Sequence, residues 1–303
     1  MNHDLGEFIS TIYPCRFQAQ KVQSVEVPRA LAKLGDKRHS GDSPSELLSS
    51  IRTFLFELSN VMLGKRDRGI LKQPTVHLSS GNASSENCTA NWPLKPVSLA
   101  LIRLKSASKH ARNTSYETQV RVEAAAAATF VHLLRDCCPD DDVFVATPHR
   151  IQREAVKAAL QKARITEPFE KMFQQMNITE EARGRGVTVE TIERLQGRDF
   201  VIQSRKILIK WLVVGSEASF VICLLSATRP HTGDLAFLLE RRRLNVAISR
   251  AKSLCIVISS DAVLDPPAES LADEGTLKGY SFLKAFEQSA WSYDLIVQAE
   301  AVL

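Results

Sequence analysis

Several chemistries are excluded by what this 303-residue sequence lacks. Its six cysteines, at positions 15, 88, 137, 138, 223 and 255, include no Cys-x-x-Cys pair. A zinc ribbon and a disulfide scaffold both depend on patterned cysteines, so neither is expected. The seven histidines do not cluster with a plausible catalytic partner, and no Gly-x-Ser-x-Gly elbow occurs. An unrelated small-molecule α/β enzyme therefore has no visible nucleophile or acid–base set. No run approaches the roughly 20 apolar residues needed to cross a bilayer. The longest candidate, Ile207 to Val214, is broken by Lys210. Met1 to Ser10 carries Asp4 and Glu7 where a secretory signal has a basic start and an apolar run. The Asn-x-Ser/Thr sequons at Asn82, Asn87, Asn113 and Asn177 are then read as chance. The expectation is a soluble, intracellular chain with no membrane partner, nucleus or cytoplasm left open.

What is present points to a packed α/β protein. Lys and Arg total 39 against 34 Asp and Glu, a formal charge of +5, which permits a polyanionic partner without demanding one. Hydrophobic residues make up 44%, enough for a sizeable core. Residues 1–96 read as irregular with one clear helix at about 43–63. Ser43-Pro44-Ser45-Glu46 offers a capping box, Leu47, Leu48, Ile51, Phe54, Leu55, Leu58 and Met62 recur at helical spacing, and Gly64 ends the run. About Gly69 to Pro96 reads as a loop or linker, rich in Ser, Asn, Gly and Pro.

From Val97 the texture changes. Val97–Leu104, Val143–Ala146, Val187–Val189, Phe220–Leu225 and Leu254–Ile258 read as strands. Glu123–Leu134, with five consecutive alanines, Ile151–Leu160 and Leu238–Ser249 read as helices. Alternating strands and helices predict a parallel sheet flanked by helices over 97–265. Residues 266–303 are expected to form a helical tail, with an amphipathic helix around Tyr280 to Trp291 after a Pro266-Pro267 break.

Ligands of open α/β sheets bind beyond the carboxyl ends of the strands, so the residues that follow each strand come next. Thr147-Pro148-His149-Arg150-Ile151-Gln152 follows the second strand. It fits either a phosphate-binding helix start or an ordinary helix cap. Thr191 begins a second segment, in which Gln196-Gly197 lets a ligand approach the backbone. Arg198 and Asp199 there suit a phosphate and a ribose hydroxyl, or a solvated charged turn. The third segment is Arg241-Arg242-Arg243-Leu244-Asn245-Val246-Ala247-Ile248-Ser249-Arg250-Ala251-Lys252. On one helix Arg243 and Arg250 share a face about two turns apart, an arrangement suited to a polyphosphate. Taken singly, such a run is more often a basic surface helix.

Together, in this order and spacing, the three segments resemble motifs IV, V and VI of superfamily 1 helicases, in the Up-frameshift and Senataxin-like branch. The last segment is the most specific. Met1 to Ser10 also resembles the stretch that precedes motif IV in that family. The resemblance covers 1–18 and about 97–265, leaving 19–96 and the tail unaccounted for. It implies a RecA-like second motor domain, of P-loop NTPase type. In such motors ATP and Mg sit in a cleft shared with a first RecA-like domain, in cis or in trans. Single-stranded DNA or RNA runs across both. By this resemblance Arg250 is the arginine finger. Gln196, Gly197, Arg198, Asp199 and Arg243 line the nucleotide. Thr147, Pro148 and Thr191 meet nucleic-acid phosphates. Arg250 is expected to face the triphosphate at the sheet's carboxyl rim.

A motor also needs a phosphate loop, Gly-x-x-x-x-Gly-Lys-Ser/Thr, and an acidic pair for Mg. The nearest string, Leu63-Gly64-Lys65-Arg66, lacks both the upstream Gly and the final hydroxyl, and no apolar strand ends in Asp-Glu. The expectation is a fragment, one half of a motor or the product of a truncated or split gene, without autonomous ATPase activity. The alternative is a non-catalytic or degenerate helicase-like module that binds nucleic acid. Phe200 to Ser216 interrupts motif V, as a translated intron or as an extra strand at Ile207 to Val214. If the insertion is genuine, Glu217 competes with Asp199 for the ribose.

Overall fold

The computed structural model describes residues 3–10, 26–35, 45–64, 97–107, 115–166, 186–195, 217–227 and 232–298. Gln196 to Asp199, and the interruption at 200–216, lie outside the described residues.

Three helices come first: α1 (His3–Ser10), α2 (Glu26–Ala32) and α3 (Glu46–Met62). The cap of α3 is Ser45, whose hydroxyl accepts from the Leu48 amide at 3.3 Å. The expected capping box therefore begins two residues too early. Gly64, with φ at 68°, ends the last turn as the sequence predicts, its amide bonded to the Val61 carbonyl.

The α/β body then follows. It comprises β1 (Leu99–Ala107), α4 (Tyr116–Cys137), β2 (Val143–Thr147), α5 (Arg150–Thr166), β3 (Val187–Thr191), α6 (Ile192–Leu195), β4 (Ala218–Leu225), α7 (Thr232–Leu238), α8 (Arg241–Ile248) and β5 (Ala251–Ser259). Last come α9 (Asp261–Leu264), α10 (Glu274–Ser289) and β6 (Trp291–Gln298). The helix expected over Leu238–Ser249 is thus two helices, broken at Leu239 and Glu240. The tail adds a strand to its expected helix.

The strands form one six-stranded sheet in the order β3-β2-β4-β5-β1-β6, every pair parallel. This is the α/β, RecA-like architecture read from the sequence. Side chains alternate across the sheet, so each strand feeds two layers. Phe220, Ile222 and Leu224 of β4 pack with α2, α3, α4 and α5, while Val221, Cys223 and Leu225 pack with α1, α7, α8, α9 and α10. Two covered faces explain why β4 and β5 read as nearly unbroken apolar runs. Segments before 97 and after 265 share these cores: Phe54 of α3 stacks on Trp291 of β6 at 4.8 Å, and Phe8 of α1 lies 4.9 Å from Phe282 of α10. No helix among the described residues is long and apolar enough to cross a membrane.

One close approach fixes the second layer. A Cβ on Gly279 of α10 would stand 1.5 Å from the carbonyl oxygen of Leu239, at the break between α7 and α8. Gly279→Ala gains helix propensity, about 1 kcal/mol, but forces α10 off the α7–α8 corner. The net expectation is a loss of about 1–3 kcal/mol, read as a lower urea midpoint with unchanged slope.

Candidate functional site

A parallel sheet has two rims, and the predicted residues divide between them. At the carboxyl rim β2 and β3 end together: Thr147 and Thr191 are register partners in neighbouring strands. The two predicted phosphate contacts are thus side by side, but both are buried, at 0% and 5% exposure. The Thr147 hydroxyl already donates to the Glu190 carbonyl at 3.3 Å. Pro148 is buried as well, and α5 opens just beyond it with Arg150 and Ile151 exposed.

Two arginines near this rim are paired. Arg153 on the first turn of α5 meets Glu190 at 3.3 Å and Glu154 at 2.7 Å. Arg243 on α8 meets Glu240 at 2.7 Å and Glu193 of α6 at 3.2 Å. Its guanidinium also lies 3.8 Å from the centre of the Phe237 ring, and that ring stacks on His149 at 4.8 Å. Arg243 therefore ties α6, α7 and α8 together and keeps Phe237 against the turn that follows β2. Burial pushes the His149 imidazole below its ordinary value, with the Arg243 charge acting in the same direction and Asp234 and Glu193 opposing.

Arg250 lies elsewhere. It falls past the end of α8, in the turn that leads into β5, and its carbonyl accepts from the Ala218 amide at the start of β4. That is the amino rim. The expected shared helix face with Arg243 and the expected carboxyl-rim position are both corrected here. The reason is topological. A helix that joins two adjacent parallel strands runs antiparallel to them. Seven residues at 1.5 Å each then carry Arg250 roughly 10 Å down the axis from Arg243. Gln196, Gly197, Arg198 and Asp199 fall outside the described residues.

The carboxyl rim also holds a group that the sequence did not single out. Glu123 of α4 is fully buried, and its carboxyl accepts from Gln152 Nε2 at 2.8 Å and from the Ser226 amide at 3.0 Å. Burial pushes this carboxyl up to about 7, against the pull of those hydrogen bonds. The available signal was a lone acid at the head of an alanine run, in register with the buried Ala127, Phe130 and Leu134 of the same helix face. Among the described residues no three His, Cys, Asp or Glu side chains stand together as a metal site.

An all-parallel six-stranded sheet with helices on both faces is a RecA-like arrangement. Residues 68–262, more than half of the chain, match the AAA domain family AAA_12, and the protein belongs to that family. The family is a helicase-like C-terminal domain of the type found in Up-frameshift and Senataxin helicases. The match spans the three segments at 147–152, 191–197 and 243–252, and leaves out α1 to α3 and the tail from 266. No curated protein matches the chain.

Proposed function

We propose that the chain is the second motor half of an ATP-dependent helicase of the Up-frameshift and Senataxin-like branch, acting on single-stranded DNA or RNA. Membership of a helicase-like family supports this, and the observation that carries it is the division between rims. The Thr147, Pro148 and Thr191 cluster ends two strands on one side, and Arg250 starts a strand on the other. A motor must hold its track and its fuel on separate surfaces, so that a change at one is relayed to the other.

In this reading the carboxyl rim carries the track. The buried Thr147 and Thr191 anchor the strand ends, and the first turn of α5 offers unpaired backbone amides to a phosphate. The amino rim faces the fuel. Bound ATP with Mg supplies the phosphoryl chemistry, and Arg250 contributes a positive charge to the γ-phosphate from the side of this domain. The described residues fit that role and no larger one. They present a cation, and the sequence holds no phosphate loop, so that loop and the Mg carboxylates would come from a first RecA-like domain, in cis or in trans. By the resemblance, Gln196, Gly197, Arg198 and Asp199 would also contact the nucleotide; they lie outside the described residues. Arg243 lies on the carboxyl rim in ion pairs with Glu193 and Glu240, so a nucleotide contact there would have to open them.

The absence of a phosphate loop from the sequence favours a second reading, a non-catalytic nucleic-acid-binding module. Both readings require binding to a single strand. Anisotropy of a fluorescein-labelled oligothymidylate or oligouridylate, titrated at several salt concentrations, tests this. The expected plot of log affinity against log salt has a slope of about −1 to −3, from a few phosphate contacts. No retention at low salt would remove both readings. ATP turnover with a first motor domain added, and none without it, separates the first from the second.

A further inference from the structure

Glu123 is a costly residue in its position. It is 0% exposed on α4, and burial raises its proton affinity with no cation among the described residues acting to lower it. A buried carboxylate without a countercharge is disfavoured by desolvation, and an apolar side chain would fit this layer at lower cost. What the carboxyl provides is a bridge. Gln152 belongs to the first turn of α5, three residues beyond His149, and Ser226 immediately follows β4. Both are buried, and they reach Glu123 from two different connections of the sheet.

Those connections flank the place where the strand order turns back. From β2 the chain steps outward to the edge strand β3, then returns to β4 on the other side of β2. The crevice at such a reversal is where α/β sheets take their ligands. Thr147 ends one of the two strands that border it and Ser226 follows the other, and Glu123 bonds both connections. Among the described residues Tyr116, at the start of α4, feels the Glu123 charge; burial, Glu123 and Asp234 all push its phenol up. The opposing elements α5 and β4 contribute the Gln152 amide and the Ser226 amide, neither of which titrates.

We propose that Glu123 is a positioning residue: its carboxyl sets the spacing between the Thr147-Pro148-His149 turn and the segment after Leu225, and thereby the affinity of the carboxyl rim for single-stranded nucleic acid. This rests on the nucleic-acid reading given above. The bridge works through geometry, so an isosteric amide replaces it. In Glu123→Gln the new amide bonds both partners once the Gln152 amide turns over, because the Gln152 Oε1 has no partner in the present arrangement.

The test compares wild type, Glu123→Ala, Glu123→Gln and Gln152→Ala in the full chain. The readouts are anisotropy with labelled oligothymidylate and oligouridylate, and amide hydrogen exchange. Glu123→Ala is expected to weaken binding about five- to tenfold, Glu123→Gln to restore it to within about twofold, and Gln152→Ala to fall between. Exchange at Ser226 and at Ile151–Arg153 rises together in Glu123→Ala, and far less in Glu123→Gln. Wild-type affinity in a folded Glu123→Ala overturns the proposal, and so does a Glu123→Gln variant that binds as weakly as the alanine. If Glu123→Ala does not fold, the contrast between Glu123→Gln and Gln152→Ala decides. A wild type that retains neither oligonucleotide overturns the nucleic-acid reading and the affinity part of this proposal. The bridge itself then stands or falls on whether exchange at the two connections rises together.

Discussion

Arg250→Ala is expected to lower ATP turnover, in the motor completed by a first RecA-like domain, by about 10³–10⁵-fold, the range for loss of an arginine finger. The same variant should bind single-stranded oligonucleotide within about twofold of wild type. The second expectation comes from placement. Arg250 precedes β5 on the amino rim, while Thr147 and Thr191 end β2 and β3 on the carboxyl rim. An arginine that served only as a fold staple would lower both activities through stability, so a melting curve belongs beside the two assays. An unchanged turnover, or a parallel loss of turnover and binding, would remove Arg250 from the finger role. Arg243→Ala supplies the contrast. It breaks the ion pairs to Glu193 and Glu240 and unseats Phe237, so its expected signature is a lower melting temperature.

Alternation of apolar strands and amphipathic helices made the parallel sheet legible, because strands buried on both faces tolerate little but apolar residues. β4 and β5 stood out for that reason. The strand β6 did not. It lies at the edge beside β1, and Ser292 and Asp294 interrupt its apolar residues, so that Trp291 and Val297 looked like the end of a helix and a tail. The break between α7 and α8 was missed because Leu238 and Leu239 continue the helical apolar stripe, although Glu240 starts a new helix. The rim on which each candidate site residue stands was not legible. A list of residues that follow strands places everything at the carboxyl end, and Arg250 precedes one. Glu123 was hidden for another reason. A carboxylate on a helix reads as solvent-facing until packing shows that its neighbours Val122, Ala126 and Ala127 are buried around it.

That buried carboxyl carries the other large effect, a stability that falls as pH rises through neutrality. Unfolded, Glu123 titrates near its ordinary 4.5; folded, burial pushes it up to about 7. Between those values the native state holds a proton that the unfolded chain has released, so unfolding loses the proton and is opposed by acid. The sign follows. The contribution of Glu123 to stability is complete below about pH 4.5 and is lost as pH climbs through 7. Across pH 5 to 8 the loss amounts to about 2–3 kcal/mol from this one group. Glu123→Gln has nothing to titrate, and its stability should change by that much less over the same interval. Urea denaturation of wild type and Glu123→Gln at pH 5, 6.5 and 8 measures the difference directly. Parallel profiles would place the Glu123 carboxylate in a solvated or charge-compensated setting. A variant that gains on wild type toward pH 8 would show that the protein bears the cost of a buried negative charge at neutral pH, in order to keep two strand ends tied to one side chain.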